Sequence, residues 1–225
     1  MTKPSGISVT TDGTRLLIAD QLAAGSGAIL TVPTATTAAP LEMLPGTQGW
    51  KPRGLDVAGG SGRDTIYFTG SNPAGNAPGL YRVPAAGGAV AVVAEGPPFK
   101  SPDSVVIAKD GSVYVSDQGT AAGQGLVYRV RAGKPEPLLS GLTLGTPGGV
   151  TLINDDNTLL VSSIDATSRS NQVLFLDLPT GKTAVAQKVI GAHKDSSGGL
   201  HRAHAAAVLG WADVQRPGRV YRVDA

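Results

Sequence analysis

The sequence predicts an all-β protein with a β-propeller fold, because three strand patterns recur together about every 48 residues in five successive units. Each unit opens with a turn that leads into an apolar strand, at residues 4–7, 52–55, 102–105, 147–150 and 197–200. A second strand ends in a small or acidic residue, at 16–20, 66–70, 113–117, 159–163 and 209–213. A third strand follows at 30–32, 81–83, 128–130, 176–178 and 221–223. Repeats of about 40 to 50 residues with several short strands each are typical of propeller blades.

The first and second strands of a unit are expected to form a hairpin. Asp12-Gly13 and Asp110-Gly111 lie between them in the first and third units, and Asp155-Asp156-Asn157 lies there in the fourth. An Asp-Gly pair between apolar runs favours a tight turn, because glycine adopts positive φ without steric cost.

The second strands carry two further signals. Their first positions are apolar in nearly every unit, which predicts burial on both faces, as between two neighbouring blades. The next position is always small, at Ala19, Thr69, Ser116, Ser162 and Ala212. This small-residue column predicts that the end of the second strand packs closely against another backbone.

Outer fourth strands are predicted more weakly, at 40–45, 90–94, 137–139 and 183–190, and no segment has helical periodicity. We expect one domain over 1–225, with repeats at 4–51, 52–101, 102–146, 147–196 and 197–225. The fifth unit stops after its third strand. The ring is therefore either five-bladed with one three-stranded blade or an incomplete six-bladed ring. An open blade edge would favour pairing between two chains, and so a dimer.

Composition excludes several classes of function. The 225 residues are 16% charged with a net charge of +2 and no basic cluster, so a nucleic-acid partner is not expected. There is no cysteine, which excludes disulfides and thiolate metal sites. No apolar run approaches the length of a membrane span, and no signal peptide is recognisable. The compartment is left open, and is the cytoplasm if Met1 is the native start.

One repeat carries a family resemblance. Residues 102–117 read PDSVVIAKDGSVYVSD, with a proline-led opening, an Asp-Gly turn and a closing Tyr-Val-Ser-Asp. This run resembles the NHL repeat and the repeats of gluconolactonase-like propellers of the senescence-marker type. The resemblance implies the propeller fold, but lactonases, lyases and binding domains share such patterns.

The same resemblance supplies a test for a metal site. Gluconolactonase-like enzymes hold a divalent cation, usually calcium, on Glu, Asn and Asp side chains, several of which precede the glycine of the strand opening. The corresponding column here is Ser5, Arg53, Asp103, Gly148 and Gly198. Only Asp103 matches such a ligand, and an arginine beside it disfavours a cation. No cofactor is predicted, and calcium or another divalent cation is expected only if the protein is such an enzyme.

Two groups of residues are candidates for a functional site. Arg53 and Asp103 occupy equivalent positions in successive units and should be neighbours at one end of the axial funnel. There they could bind a carboxylate or phosphate and a hydroxyl, or form a structural ion pair. In the fifth unit, His201, Arg202 and His204 replace an apolar strand, and are either ligand contacts or features of a degenerate terminal blade.

Other repeated polar residues are expected to be structural. Asp20, Asp117 and Asp213 end second strands, where a carboxylate can accept hydrogen bonds from the following turn. A solvated face of the third strands is predicted for one column, formed by Arg82, Arg129, Asp177 and Arg222.

These observations lead to two main functional hypotheses, beside a third possibility, a structural module within a larger secreted protein. The first is a non-catalytic propeller scaffold that binds a small molecule or protein through its rim and axial funnel, with Arg53, Asp103 and Arg202 as contacts. The alternative is a metal-dependent hydrolase of a lactone or ester, with Asp103 as a metal ligand and His201 or His204 as the base. Neither a nucleic acid nor a membrane is expected as a partner.

Overall fold

The predicted all-β fold is confirmed. The computed structural model describes residues 1–35, 39–59, 63–121, 123–138, 144–187, 199–203, 206–211 and 219–223. Within these residues the chain forms five sheets, four of four strands and one of three. The helical content of the described residues is one 3-10 turn, Ala23–Gly25. None of the described helical structure is long and apolar enough to cross a membrane.

The strands follow the chain order within each sheet. The first sheet holds β1 Pro4–Val9, β2 Arg15–Asp20, β3 Ala28–Pro33 and β4 Glu42–Met43. The second sheet holds β5 Leu55–Ala58, β6 Thr65–Ser71, β7 Pro78–Pro84 and β8 Ala91–Glu95. The third sheet holds β9 Pro102–Ile107, β10 Val113–Asp117, β11 Leu126–Arg131 and β12 Lys134–Pro137.

The last two sheets continue the pattern. The fourth holds β13 Val150–Ile153, β14 Thr158–Ile164, β15 Asn171–Asp177 and β16 Thr183–Gln187. The fifth holds β17 Gly199–Ala203, β18 Ala206–Trp211 and β19 Arg219–Val223. The three repeated strand patterns of the sequence thus correspond to the first, second and third strands of every sheet.

The chain divides into two compact units, each of which is larger than one of the five sequence repeats. The first comprises Met1–Ile107 and Ala132–Lys134, and the second comprises Ala108–Arg131 and Pro135–Ala225. In the first unit, a buried core joins the facing sides of the first two sheets, with Leu17 and Ile29 packed against Leu55 and Phe68. An aromatic group closes this core, in which the Trp50 and Tyr81 ring centroids lie 4.6 Å apart.

The second strands of the third and fourth sheets are buried on both faces, as their apolar positions predict. All five residues of β10 are buried, and so are six of the seven residues of β14. A strand that is buried on both faces has lost most of its apolar surface to neighbouring sheets, which is the main source of stability in such a fold.

The predicted hairpin turns are confirmed. Gly111 has a φ of 81° and donates its N–H to the Ala108 carbonyl, while Asp110 Oδ1 accepts the Ser112 N–H at 2.8 Å. The first sheet repeats this arrangement at Asp12 and Gly13. The turn of the fourth sheet, which lacks glycine, places Asn154, Asp155 and Asp156 at positive φ.

Candidate functional site

The opening strands of the first unit pack backbone against backbone. A Cβ on Gly54 would lie 2.5 Å from the Asp103 carbonyl oxygen, so only glycine fits at this position. Thr69, from the small-residue column, donates its hydroxyl to the same Asp103 oxygen at 2.7 Å. In the second unit, Ser116 of that column donates to the Gly148 carbonyl at 2.5 Å. The predicted close backbone contact at this column is confirmed for both residues.

This packing fixes the backbone of Arg53. Its N–H donates to the Thr69 carbonyl at 2.9 Å, and its own carbonyl accepts the Ser5 hydroxyl at 2.9 Å. Gly54, the next residue, donates its N–H to Thr69 Oγ1 at 3.0 Å. The guanidinium therefore extends from a main chain that is held on both sides.

The structure brings Arg53 and Asp103 together. Arg53 Nη1 lies 3.6 Å from Asp103 Oδ1, and the two side chains are 34% and 28% exposed. Nη1 also donates a hydrogen bond to Ser101 Oγ at 3.0 Å. At 3.6 Å the two charges attract each other without forming a hydrogen bond. Within the described residues, Arg53 Nε and Nη2 donate no side-chain hydrogen bond.

The residues around Asp103 do not fit a bound calcium ion. Calcium takes six to eight oxygen ligands, several of them usually carboxylates. Here a guanidinium occupies the space 3.6 Å from the Asp103 carboxylate. Across the described part of the chain, no group of three or more His, Asp or Glu side chains is close enough to hold a metal ion.

The candidates of the fifth sheet lie in the second unit. His201 and Arg202 are on β17 and both are exposed, whereas His204 lies outside the described residues. Arg202 Nη2 lies 2.8 Å from Asp156 Oδ1, so the two side chains form an ion pair. The angle between them is unsuitable for a hydrogen bond, and Asp156 Oδ1 accepts none within the described residues. Part of the His201 ring is enclosed by protein, and this desolvation lowers the pKa of His201.

Two aspartates perform the predicted structural role. Asp20 is fully buried and accepts the N–H groups of Thr2, Lys3 and Leu22 at 2.6, 2.9 and 3.0 Å. Asp117 accepts the Gly119 N–H at 2.8 Å. The capping prediction is confirmed for these two residues, and Asp213 lies outside the described residues.

The prediction that this column faces solvent is confirmed for Arg82, which is exposed, and holds only in part for Arg129, which is half-buried. The Arg129 Nε atom is buried and donates no hydrogen bond within the described residues. Asp177 is half-buried and accepts the Thr180 N–H at 2.9 Å. The side chain of Arg222 lies outside the described residues.

Sequence reasoning missed a set of contacts between neighbouring hairpins. Asp64, in the hairpin of the second sheet, accepts the N–H of Thr11 in the first at 2.6 Å and also accepts its hydroxyl. Asp156 of the fourth sheet likewise accepts the N–H of Lys109 in the third at 2.8 Å. Ser101 was also missed, although it directly precedes the Pro102 that opens the third repeat.

Solved structures with the same fold support the propeller class. The chain is similar to a gluconolactonase from Xanthomonas campestris, with a TM-score of 0.67 and 18% identity over 92% of this chain and 68% of that one. It is similar to regucalcin, a calcium-binding protein from Agrobacterium tumefaciens, with a TM-score of 0.65 and 16% identity over 100% of this chain and 75% of that one. A chain of a nidogen/laminin complex gives a TM-score of 0.64 at 15% identity, over 95% of this chain and 79% of that one.

At these identities the likeness defines the fold, a β-propeller, and not the activity. The chain spans about half the length of a TolB structure from Acinetobacter baumannii, covering 54% of it at 15% identity with a TM-score of 0.61. The sequence matches no protein-family model and no curated protein. The expected resemblance to gluconolactonase-like and related propellers is therefore confirmed at the level of the fold.

Proposed function

We propose that this protein is a β-propeller binding scaffold that recognises an anionic group, on a small molecule or a protein segment, through Arg53 and Asp103. The observation that carries the proposal is the state of Arg53. Its main chain is fixed by Ser5 and Thr69, its guanidinium is one-third exposed, and only Nη1 is engaged within the described residues. A pre-positioned, partly exposed guanidinium binds a carboxylate or phosphate with little ordering cost.

The two side chains have different roles in this proposal. Arg53 binds a carboxylate or phosphate through Nε and Nη2 as a bidentate pair. Asp103 accepts a hydrogen bond from a neighbouring hydroxyl of the ligand and disfavours ligands that carry a second negative charge at that position. A hydroxy acid therefore matches the pair better than a dianion. The site consists of residues of the first unit alone.

Binding of gluconate, followed by isothermal titration calorimetry, tests the proposal, because gluconate carries one carboxylate and several hydroxyls. We expect Arg53→Met to weaken binding about tenfold or more, since a charge-assisted bidentate contact is lost. Arg82→Met is the matched control, because Arg82 is an exposed arginine of the same unit. Equal affinity of the Arg53→Met variant and the wild type would refute the proposal.

A metal-dependent lactone or ester hydrolase is the second candidate, favoured by the structural likeness to a gluconolactonase. In that case Asp103 would be one ligand of the metal ion. Hydrolysis of D-glucono-1,5-lactone should then require added calcium and disappear with EDTA and in the Asp103→Asn variant. A scaffold predicts no turnover with or without calcium, and a melting temperature that calcium does not change.

A further inference from the structure

The second unit contains a cavity that is separate from Arg53 and Asp103. It has a volume of about 710 Å³ and lies between the third and fourth sheets. Its walls on the third sheet come from the β9–β10 hairpin and from Tyr114, Arg129 and Arg131. Its walls on the fourth sheet come from the β13–β14 hairpin and from residues around the β15–β16 turn. A volume of this size accommodates a small organic ligand.

The charges at the mouth of this cavity already pair with one another. Lys109 forms an ion pair with Asp155, and both side chains are largely exposed. Arg131 Nη2 lies 2.9 Å from Asp110 Oδ2, and both of these side chains are also exposed. Exposed pairs of this kind contribute little free energy and leave no net charge at the entrance.

The deeper wall of the third sheet differs from the mouth. Arg129 is one-third exposed, its Nε is buried, and Nε donates no hydrogen bond within the described residues. Its Nη2 reaches Glu136 Oε2 at 3.3 Å, and Glu136 is 62% exposed. An ion pair with so exposed a partner contributes little free energy, so the Nη groups of Arg129 can exchange Glu136 for the carboxylate of a ligand.

The residues around Arg129 suit the apolar part of a ligand. Tyr114 and Leu176 line the cavity with exposures of 4% and 3%, and Leu178 and Pro179 lie beside them in the same lining. Burial, the first cause, and the negative charge of Asp110 raise the pKa of Tyr114, so this phenol stays neutral near pH 7. The lining therefore combines an apolar surface with Arg129, a cation whose ion-pair partner is exposed.

The acidic residue on the opposite wall does not exclude an anion. The Asp156 side chain is 10% exposed, and its Oδ1 lies 2.8 Å from Arg202 Nη2. Its other oxygen accepts the Lys109 N–H at 2.8 Å. The negative charge of Asp156 is thus balanced by Arg202, which leaves Arg129 as the group that decides which charge the cavity accepts.

We propose that this cavity binds a small organic acid whose carboxylate pairs with Arg129 and whose apolar body packs against Leu176, Leu178 and Pro179. The carboxylate takes the two Nη groups as a bidentate pair, and the Glu136 side chain moves into solvent when the ligand binds. Glu136 is consequently a competitor for Arg129. The site works independently of Arg53, so it holds whether or not the proposed scaffold function is correct.

Phenylacetate is a suitable probe, with uncharged phenylacetamide as its matched control, in a titration followed by ¹H–¹⁵N NMR shifts of the labelled protein. We expect saturable shifts around Arg129 and Leu176 with phenylacetate and none with the amide. Arg129→Met should weaken binding about tenfold or more, because the bidentate pair is lost. Glu136→Gln should strengthen binding about threefold, since it removes the competing charge.

Arg82→Met is the control variant, because Arg82 occupies the same position of the third strand in the second sheet and is exposed. Its phenylacetate affinity should equal that of the wild type. If Arg129→Met does not fold, the exposed Glu136→Gln substitution still tests the proposal. No saturable shift at any soluble concentration, equal binding of the amide, or unchanged affinity in the Glu136→Gln variant would overturn it.

Discussion

At the scale of single residues, Asp20 shows how a buried charge is maintained in this fold. The side chain is fully buried, and three backbone N–H groups from Thr2, Lys3 and Leu22 donate to its two oxygens. Desolvation raises the pKa of Asp20, but the three hydrogen bonds together lower it by a larger amount, so the net shift of the pKa is downward. Asp20 therefore joins the residues before β1 to the end of β2, and its carboxylate is the form that stabilises the fold.

Asp20→Asn should destabilise the protein, because an amide presents one acceptor oxygen where the carboxylate presents two. We expect a loss of about 2 kcal/mol in the free energy of unfolding, since buried N–H groups are left without an acceptor. Urea denaturation measures this loss. Asp177→Asn is the matched control, because the exposed contacts of Asp177 to Thr180 are local to one turn. An Asp20→Asn variant as stable as the Asp177→Asn variant would contradict the structural role of Asp20.

At the scale of elements, the packing of opening strands depends on small residues rather than on side-chain complementarity. Gly54 of the second repeat faces the backbone of Asp103 and Ser104 in the third, and a Cβ there would come within 2.5 and 2.6 Å of main-chain atoms. Thr69 bridges the same two openings with its hydroxyl. Backbone atoms cannot move aside as a flexible side chain can, so this contact is intolerant of added volume.

Gly54→Ala should therefore separate the two opening strands. We expect a destabilisation of about 1 to 3 kcal/mol, and weaker gluconate binding, because Arg53 adjoins the substituted residue. Gly75→Ala is the control in the same unit, since no heavy atom lies within 4 Å of a Cβ at that position. Thermal melting compares the stabilities of the Gly54→Ala and Gly75→Ala variants. Similar melting temperatures would mean that the strands adjust without cost.

At the scale of the whole molecule, the strands that the sequence located best are those whose burial repeats. In the first four repeats, the ends of the second strands lie within one or two residues of the predicted bounds, because two-sided burial makes these strands apolar at successive positions. The outer strands were located less evenly: β8 at Ala91–Glu95 and β16 at Thr183–Gln187 begin within one residue of the predicted 90–94 and 183–190. β12 lies at Lys134–Pro137 rather than 137–139, and its mostly exposed residues carry no periodic pattern. Burial, not strand propensity, produced the readable signal.

The candidate sites also differ in how far the sequence pattern could predict them. The proximity of Arg53 and Asp103 could be inferred from the sequence, since residues at equivalent positions of adjacent repeats are neighbours in space. The contact with Ser101 and the cavity beside Arg129 could not, because both depend on side-chain directions across strands that pair or pack non-locally. The repeat also predicted the same environment for Arg82 and Arg129. Each pairs with a tyrosine of the second strand, but Arg82 is exposed whereas Arg129 lines a cavity and has a buried Nε.

The ionisable groups of the described residues act together when the pH falls. The pKa values of Asp12, Asp20, Asp110, Asp155 and Asp177 are all lowered. For Asp12 the main cause is the Thr10 hydroxyl, and for Asp110 it is the Ser112 N–H. A lowered carboxyl pKa contributes stability that is present above the unfolded value of about 4 and is lost as the pH falls through the folded value.

His201 adds to this trend at a higher pH. Desolvation lowers its pKa in the folded state, so below the unfolded value of about 6.5 the unfolded chain binds a proton first and stability falls. We expect the melting temperature to decline gently from about pH 6.5 downward and steeply below about pH 4. His201→Gln should abolish the gentle decline and retain the steep one, which melting curves over this pH range would show. A melting temperature that rises on acidification toward about pH 5, or the same gentle decline in the His201→Gln variant, would contradict the lowered pKa of His201.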